Sequence, residues 1–153
     1  MPTLPDPFLP HPARDASLRS MTAVEAGDRD GWLALFSADA IVEDPIGPSP
    51  FDPSGEGHRG ADAIAAFYDA VIGPNAVRFE IAESWAAGNE VANVGTIRTT
   101  LAGGATVITR GVFTYSHGST PPEGMRPAVV FVNSGFTRMS TPRSSPVSPL
   151  RYP

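Results

Sequence analysis

Apolar residues recur at helical spacing in three segments of the first half of the chain. The first segment covers residues 15–27, with Asp15 as its expected N-cap. The second begins at Asp28, again an N-cap residue, and continues to about residue 38. The third covers residues 61–72, where the apolar side chains fall on one stripe. We therefore predict three helices.

The second half of the chain changes to the period of two that is typical of strands. A short β-rich run at residues 40–44 lies between the second and third helices. An alternating run follows at residues 77–85, longer strands are expected at residues 90–101 and 106–115 after glycine-containing turns, and a final strand is expected at residues 128–136. This order predicts an α+β fold in which three helices pack on one face of a curved, mostly antiparallel sheet.

Both tryptophans are predicted to lie in the core. Trp32 belongs to the second helix, which is more apolar than a solvated helix requires. In the strand at residues 77–85, alternation places Trp85 on the same side as Val77, Phe79 and Ile81.

Proline marks the ends of the chain. Of the 17 prolines, many lie before residue 13 or after residue 140. We therefore predict a Pro-rich N-terminal tail at residues 1–12, a single folded domain at residues 13–140, and a Ser/Pro-rich tail at residues 141–153.

Composition excludes several classes of function. The chain has no cysteine and only 3 histidines, so we expect no metal site and no cofactor. A net charge of -5 gives no basic surface for nucleic acid. No apolar run is long enough to cross a bilayer and no leader pattern is present, so we expect a cytoplasmic protein with no membrane partner.

Asp44 is the residue whose position points to chemistry. Alternation along its strand places it on the same face as Val42 and Ala40, with Glu43 on the other face. A carboxylate at the wall of an apolar enclosure has a raised pKa and can act as a general base. The alternative is that Asp44 caps the turn formed by residues 45–47.

The segments around Asp44 resemble a known family. The resemblance lies in AGDRDGWLALFSADAIVEDPIG, RGADAIAAFYDAVI and RGVFTY, with VEDPIG as the most specific element. They resemble the ketosteroid isomerases of the NTF2-like (SnoaL-like) superfamily, and most of all actinobacterial isomerase-like proteins. The resemblance implies a cone-shaped fold, a steroid or similar flat apolar ligand, a homodimer formed through the open sheet face, and Asp44 as the base that moves a proton between two carbons.

The resemblance also identifies positions where this chain departs from the isomerases. Ser20 stands where they place an oxyanion-hole tyrosine, and Gly111, or Val112 if the alignment shifts by one, stands where they place a protonated aspartic acid. Tyr68 matches a tyrosine that supports the oxyanion hole, and it is either a replacement donor or a core residue.

Three further apolar or loop features complete the expected site. Phe36, Ile97 and Phe113 match positions that line the pocket in relatives, with core packing as the alternative. The insert at residues 48–59 is long and rich in Gly and Pro, so it is expected to be a loop at the pocket mouth. Its last residues, His58 and Arg59, either meet an anionic ligand group or lie in solvent. Tyr115 closes its strand and is compatible with either the core or the site.

Three functional hypotheses remain open at this point. The first is an isomerase-like enzyme with Asp44 as base, and the second is a binding protein of the same fold that lacks the chemistry. The third is a cyclase, dehydratase or epoxide hydrolase of the same superfamily, although the extra polar relay that those reactions need is not evident near Asp44. The family pattern is least secure after Ser116, where the final strand follows an unusually long loop.

Overall fold

The computed structural model describes residue 2, residues 9–118, and the backbone of residues 129–132 and 137–140. The helices are α1 (Pro12–Ala26), α2 (Arg29–Leu33) and α3 (Gly60–Phe67), and a π-helical turn (Tyr68–Ile72) continues α3. The strands are β1 (Ile41–Glu43), β2 (His58–Arg59), β3 (Ala76–Ala87), β4 (Glu90–Thr100), β5 (Thr106–Ser116), β6 (Val129–Val132) and β7 (Thr137–Ser140).

The strands form one sheet in the order β2-β1-β6-β5-β4-β3, and β7 also pairs with β5. All pairs are antiparallel except β1 with β6. The predicted α+β class, with three helices on a curved and mostly antiparallel sheet, is confirmed. The three long strands β3, β4 and β5 form the wall against which α1 packs.

Helix α1 begins earlier than predicted. Its N-cap is His11, whose Nδ1 accepts a hydrogen bond from the backbone N–H of Ala13 at 3.2 Å, and Pro12 occupies the first helical position. Proline fits there because the missing N–H would have no partner within the helix. Asp15 is therefore not the cap but an acidic residue in the first turn, where it complements the helix dipole.

The second and third helices begin where the sequence predicted, but their C-terminal parts differ from the prediction. The Asp28 side chain caps α2 by accepting a hydrogen bond from the N–H of Gly31 at 2.9 Å. However, α2 ends at Leu33 rather than near residue 38, because the chain continues in irregular turns that lead into β1. The range predicted for the third helix is helical to Ile72, but its second part is the π-helical turn.

The core consists of two clusters of buried residues that meet beneath α1. One lies between α1 and the inner face of β3 to β5, and its larger members are Met21, Phe79, Ile81, Phe113 and Tyr115. The other lies beneath α2 and α3, and its larger members are Trp32, Val42, Ile64, Phe67 and Tyr68. Trp32 is 2 % exposed, which confirms its predicted place in the core.

A β-bulge reverses the second half of β3, and the prediction for Trp85 is therefore wrong. The pairing with β4 shifts between Ile81 and Glu83, which inserts one residue into β3. After this point the faces are exchanged, so that Ser84 is buried and Trp85 is 69 % exposed. Gly95 lies opposite, where an added Cβ would stand 2.3 Å from the Glu80 carbonyl oxygen, so a larger residue does not fit this close approach.

Ser84 uses its inward position to fix α1 to the sheet. The Arg14 side chain is buried and donates from Nε to the Ser84 hydroxyl at 2.8 Å and from a terminal nitrogen to the Ser84 carbonyl at 3.3 Å. One turn further along α1, the Ser17 hydroxyl accepts a hydrogen bond from the amide of Asn93 at 3.1 Å. These contacts set the rotation of α1 and therefore decide which of its side chains face the sheet.

The end of the chain differs in part from the predicted final strand. Of the predicted range 128–136, residues 129–132 form β6, which pairs with β5 and β1. A second strand, β7, begins at Thr137 and pairs with the first part of β5. The other residues of that range, and the predicted tail at residues 141–153, lie outside the described residues.

Candidate ligand pocket

A cavity of about 320 Å³ lies between the helices and the inner face of the sheet. Most of its lining is aliphatic or aromatic, contributed by α1, α2, the π-helical turn, and strands β3, β4 and β5. A small number of polar side chains interrupt this surface: Ser20, Asp44, Asn75, Thr99, Thr109 and Tyr115. An apolar cavity with few polar groups is typical of a small-molecule site.

Asp44 lies at the wall of this cavity, directly after β1. Val42, two residues earlier on the same face, is fully buried, and a cis peptide bond joins Asp44 to Pro45. Burial raises the pKa of the Asp44 carboxyl to about 6. At neutral pH the group is therefore mostly ionised, yet it is a much stronger base than an ordinary aspartate.

The alternative role of Asp44 as a turn cap finds no support in the hydrogen bonds of the described chain. Among the described residues, none donates a hydrogen bond to the Asp44 carboxylate from the turn at residues 45–47. Asp28 and Asp52 show what such caps look like in this protein, because each accepts hydrogen bonds from backbone N–H groups that follow it. The Asp44 carboxylate instead faces the cavity.

Ser20, Trp32 and Tyr115 form a polar group near Asp44. Trp32 Nε1 donates a hydrogen bond to Ser20 Oγ at 3.0 Å. Burial raises the pKa of the Tyr115 hydroxyl well above its usual range, while hydrogen bonding to Ser20 lowers it and the charge of Asp44 raises it. The phenol is therefore protonated at neutral pH, where it can serve as a hydrogen-bond donor.

The structure divides the other predicted site residues into two groups. Ile97 and Phe113 line the cavity together with Ser20 and Asp44. Phe36, Tyr68 and Gly111 do not belong to the lining. Phe36 packs edge-on against Trp32, with ring centroids 4.5 Å apart, and Gly111 is buried opposite Gly95 in the pairing of β4 with β5.

Tyr68 packs against Trp32 and does not belong to the cavity lining. Its ring centroid is 5.3 Å from that of Trp32, and only 3 % of the residue is exposed. Burial raises the pKa of its hydroxyl, and the nearby charge of Asp28 raises it further. These are the surroundings of a packing residue in the cluster beneath α2 and α3.

The insert at residues 48–59 contributes one aromatic side chain to the cavity. Phe51 lines the mouth and is 55 % exposed. Asp52 organises this loop, because its carboxylate accepts hydrogen bonds from the N–H groups of Gly55 at 3.1 Å and Gly57 at 2.8 Å and from the Ser54 hydroxyl at 2.8 Å. These bonds hold the pKa of the Asp52 carboxyl below its usual range.

His58 and Arg59, at the end of the insert, do not line the cavity. They form β2, which pairs with β1, and the His58 ring stacks on Phe67 with centroids 4.6 Å apart. A contact between these two side chains and an anionic group of a ligand in the cavity is therefore not supported.

Two other kinds of feature are absent from the described residues. No group of three or more His, Cys, Asp or Glu side chains is placed to hold a metal ion. No helix in this part of the chain is long and apolar enough to cross a membrane.

Sequence reasoning missed the roles of Tyr115, Trp32 and Phe51 in the lining. Tyr115 had a usable signal, because it follows Phe113 by two residues and therefore shares its face of β5. Trp32 had none, since a buried tryptophan on a short helix is equally compatible with plain core packing. Phe51 belongs to a loop, where no periodicity indicates direction.

Comparison with known proteins assigns this fold and cavity to a family. Residues 18–133 match the family model of the SnoaL-like domain. The chain therefore belongs to the SnoaL-like family, within the NTF2-like superfamily that includes the ketosteroid isomerases, as the sequence indicated.

Solved structures support the same placement. A Δ5-3-ketosteroid isomerase from a Mycobacterium species is 35% identical, with a TM-score of 0.74, and the match covers 84% of this chain and 98% of that one. A computationally designed 17-OHP binder is 31% identical, with a TM-score of 0.79 and coverage of 87% and 100%. A Mycobacterium tuberculosis protein solved with estradiol-17beta-hemisuccinate is 33% identical, with a TM-score of 0.69 and coverage of 88% and 96%.

Proposed function

We propose that this protein binds a steroid or similar flat apolar ligand and that Asp44 acts as general base for proton transfer at an acidic carbon. The observation that carries the proposal is the position of Asp44. Of the described residues that line the cavity, it is the one carboxylate, and burial raises its pKa to about 6. A base with a pKa near the working pH is both ionised and effective.

The proposed reaction moves one proton within the substrate. Asp44 removes a proton from a carbon next to a carbonyl group, and the electron pair of the broken C–H bond forms an enolate whose charge rests on the carbonyl oxygen. Asp44 then returns the same proton to another carbon of the conjugated system, and the carbonyl reforms. The carboxylate is regenerated and no co-reactant is consumed.

The cavity and the relatives both support this class of ligand. A cavity of about 320 Å³ with an apolar lining favours a rigid apolar molecule over a charged one. The similar proteins include an isomerase of 3-ketosteroids and proteins that bind 17-OHP or an estradiol derivative.

The proposed activity can be tested with a 5-ene-3-ketosteroid by following the growth of the conjugated enone absorbance. Asp44→Asn keeps the shape of the side chain and should lose at least 100-fold in kcat, because the amide cannot accept the proton. Glu43→Gln is the matched control: the neighbouring carboxylate alternates to the opposite face of β1 and does not line the cavity. An Asp44→Asn rate equal to that of the wild type would remove Asp44 from the mechanism.

A second candidate is a binding protein without isomerase activity. It is favoured by the two departures from the isomerase pattern, since Ser20 and Gly111 stand where the resemblance places the two oxyanion donors. In this case steroid would quench Trp32 fluorescence on binding, while the wild-type protein would show no turnover above background. Trp85→Phe removes the signal of the exposed tryptophan and makes the measurement specific.

The third hypothesis, a cyclase, dehydratase or epoxide hydrolase, has less support. Those reactions call for additional charged or histidine side chains around the base. Among the described residues that line the cavity, none is an arginine, a histidine or a second carboxylate. We therefore rank this function last.

We also propose that the protein forms a homodimer through the outer face of the sheet. This face combines small apolar residues with threonine and arginine, and Trp85 is 69 % exposed on it. Analytical ultracentrifugation should give a dimer mass that falls to the monomer mass in Trp85→Arg, whereas a monomeric wild type would contradict the proposal. The cytoplasmic location remains a prediction from the sequence.

A further inference from the structure

Among the described residues, the hydrogen bonds around Ser20 leave one hydroxyl proton without a protein acceptor. The Trp32 indole can only donate, and it donates to Ser20 Oγ at 3.0 Å. Ser20 and Tyr115 each carry one further proton, and hydrogen bonding between the two hydroxyls lowers the pKa of Tyr115. Whichever of them donates to the other, the second O–H remains available.

The arrangement in which Ser20 donates makes Tyr115 the last donor. Ser20 accepts from Trp32 and gives its own proton to the Tyr115 oxygen, which agrees with the lowering effect of Ser20 on the pKa of the Tyr115 hydroxyl. Hydroxyl groups that accept and donate in sequence polarise one another, which strengthens the final bond. Both hydroxyl residues line the cavity, although they are only 3 % and 2 % exposed.

Tyr115 is placed where a negative charge would develop. It lies on the inner face of β5, two residues beyond Phe113, and its hydroxyl is close enough to interact with the charge of Asp44. A carbonyl whose neighbouring carbon faces Asp44 would carry its oxygen within the same end of the cavity. A buried donor in such a position stabilises an enolate far more than it stabilises the neutral ketone.

We propose that Tyr115, oriented through Ser20 by Trp32, is the hydrogen-bond donor to the carbonyl oxygen of the ligand, in place of the oxyanion donors that Ser20 and Gly111 lack. This inference rests on the proposed function, since it assigns the electrophilic partner of Asp44. No proton leaves the phenol. Ser20 and Trp32 are positioning residues, and Tyr115 is the catalytic residue.

The test uses the full chain and a bound 4-ene-3-ketosteroid. The enone absorption moves to longer wavelength when the carbonyl oxygen accepts a strong hydrogen bond. We expect the wild type to produce this shift and Tyr115→Phe to lose most of it. In turnover, Tyr115→Phe should lower kcat about 100-fold with little change in KM, because the donor acts mainly on the transition state. The thermal midpoint of Tyr115→Phe controls for folding.

Two further variants compare the rival hydroxyl groups. Ser20→Ala should keep a reduced shift, because Tyr115 remains but loses its orienting partner. Tyr68→Phe should keep the full shift, because Tyr68 lies outside the lining. Retention of the shift in Tyr115→Phe, or its loss in Tyr68→Phe or Ser20→Ala alone, would overturn the inference.

The failure of the proposed function can be told apart from the failure of this inference. Asp44→Asn should lose turnover and keep the absorption shift, since it removes the base and not the donor. If the wild type binds the ketosteroid without turnover, the isomerase proposal fails and the shift in Tyr115→Phe still decides the donor. If no steroid binds, a small bicyclic enone at millimolar concentration probes only the part of the cavity beside Asp44 and Tyr115. A Tyr115-dependent shift with that probe would uphold the inference, and the lack of one would overturn both proposals.

Discussion

The two ends of the cavity are built in different ways. At one end, which we call the closed end, Asp44 follows β1 and Tyr115 lies on β5, and the side chains of Val42, Trp32 and Phe113 are almost fully buried. At the mouth, Phe51 is 55 % exposed and belongs to a loop whose order comes from its own Asp52. Substitutions at the closed end should therefore change both the activity and the stability of the fold, whereas substitutions at the mouth should have little effect on stability.

The largest expected effect is on stability at the closed end. Trp32 is 2 % exposed and packs against Phe36 and Tyr68. Trp32→Ala should lower the free energy of unfolding by about 3–5 kcal/mol, because it leaves a cavity that the surroundings fill only in part. Urea unfolding measures this directly. If Trp32→Ala lowered the free energy of unfolding by no more than a surface substitution does, the two ends of the cavity would not differ in their importance for stability.

The ionisation of Asp44 should make the free energy of unfolding depend on pH with a sign opposite to that given by most carboxylates. Its pKa is raised from 3.8 to about 6 in the folded protein, so the folded state binds more protons than the unfolded state between these values. The free energy of unfolding should therefore fall as pH rises from about 4 to about 6, by on the order of 2 kcal/mol.

Asp44→Asn isolates this contribution. The variant should be more stable than the wild type above pH 6, and the difference should vanish near pH 4. Over the same range, kcat/KM of the wild type should rise with pH as the base loses its proton. Equal pH profiles of unfolding for the two proteins would contradict the buried position of the carboxylate.

The smallest effect on stability is expected at the mouth. Phe51→Ala should change the free energy of unfolding by no more than about 0.5 kcal/mol, because the side chain is largely exposed. It should nevertheless raise the ligand dissociation rate severalfold, since Phe51 covers the cavity. Stopped-flow measurement of Trp32 quenching gives this rate. Asp52→Asn, which weakens the bonds to Gly55 and Gly57, should act in the same direction, and unchanged rates in both variants would remove the loop from ligand access.

Local signals in the sequence were sufficient for much of the fold. The Asp28 cap, the helix end at Gly27 and the two long strands β4 and β5 each depend on a few neighbouring residues, and each prediction is confirmed. The prediction of the first helix cap was wrong, because histidine can also accept a hydrogen bond at an N-cap position. His11 caps α1 in place of Asp15, because the position of Pro12 starts the helix earlier.

The candidate site was only partly predictable, because it depends on contacts between distant segments. The face of Asp44 followed from alternation with Val42. The bond from Trp32 to Ser20 joins two helices, and the neighbouring Tyr115 comes from a strand 95 positions beyond Ser20 (115 − 20). No local pattern encodes such a meeting. The same is true of the bulge that turns Trp85 outward, which shows itself only in the pairing of β3 with β4.

That bulge also has a consequence for how members of this fold can diverge. The residue added after Ile81 is taken up within the bulge, and the pairing with β4 continues beyond it. Deleting Ala82 would join Ile81, opposite Gly95, directly to Glu83, opposite Val94, and would leave Ser84 facing α1 and Trp85 outside. Related chains can therefore gain or lose one residue at this point while both faces of the strand, and the bond from Arg14 to Ser84, are kept.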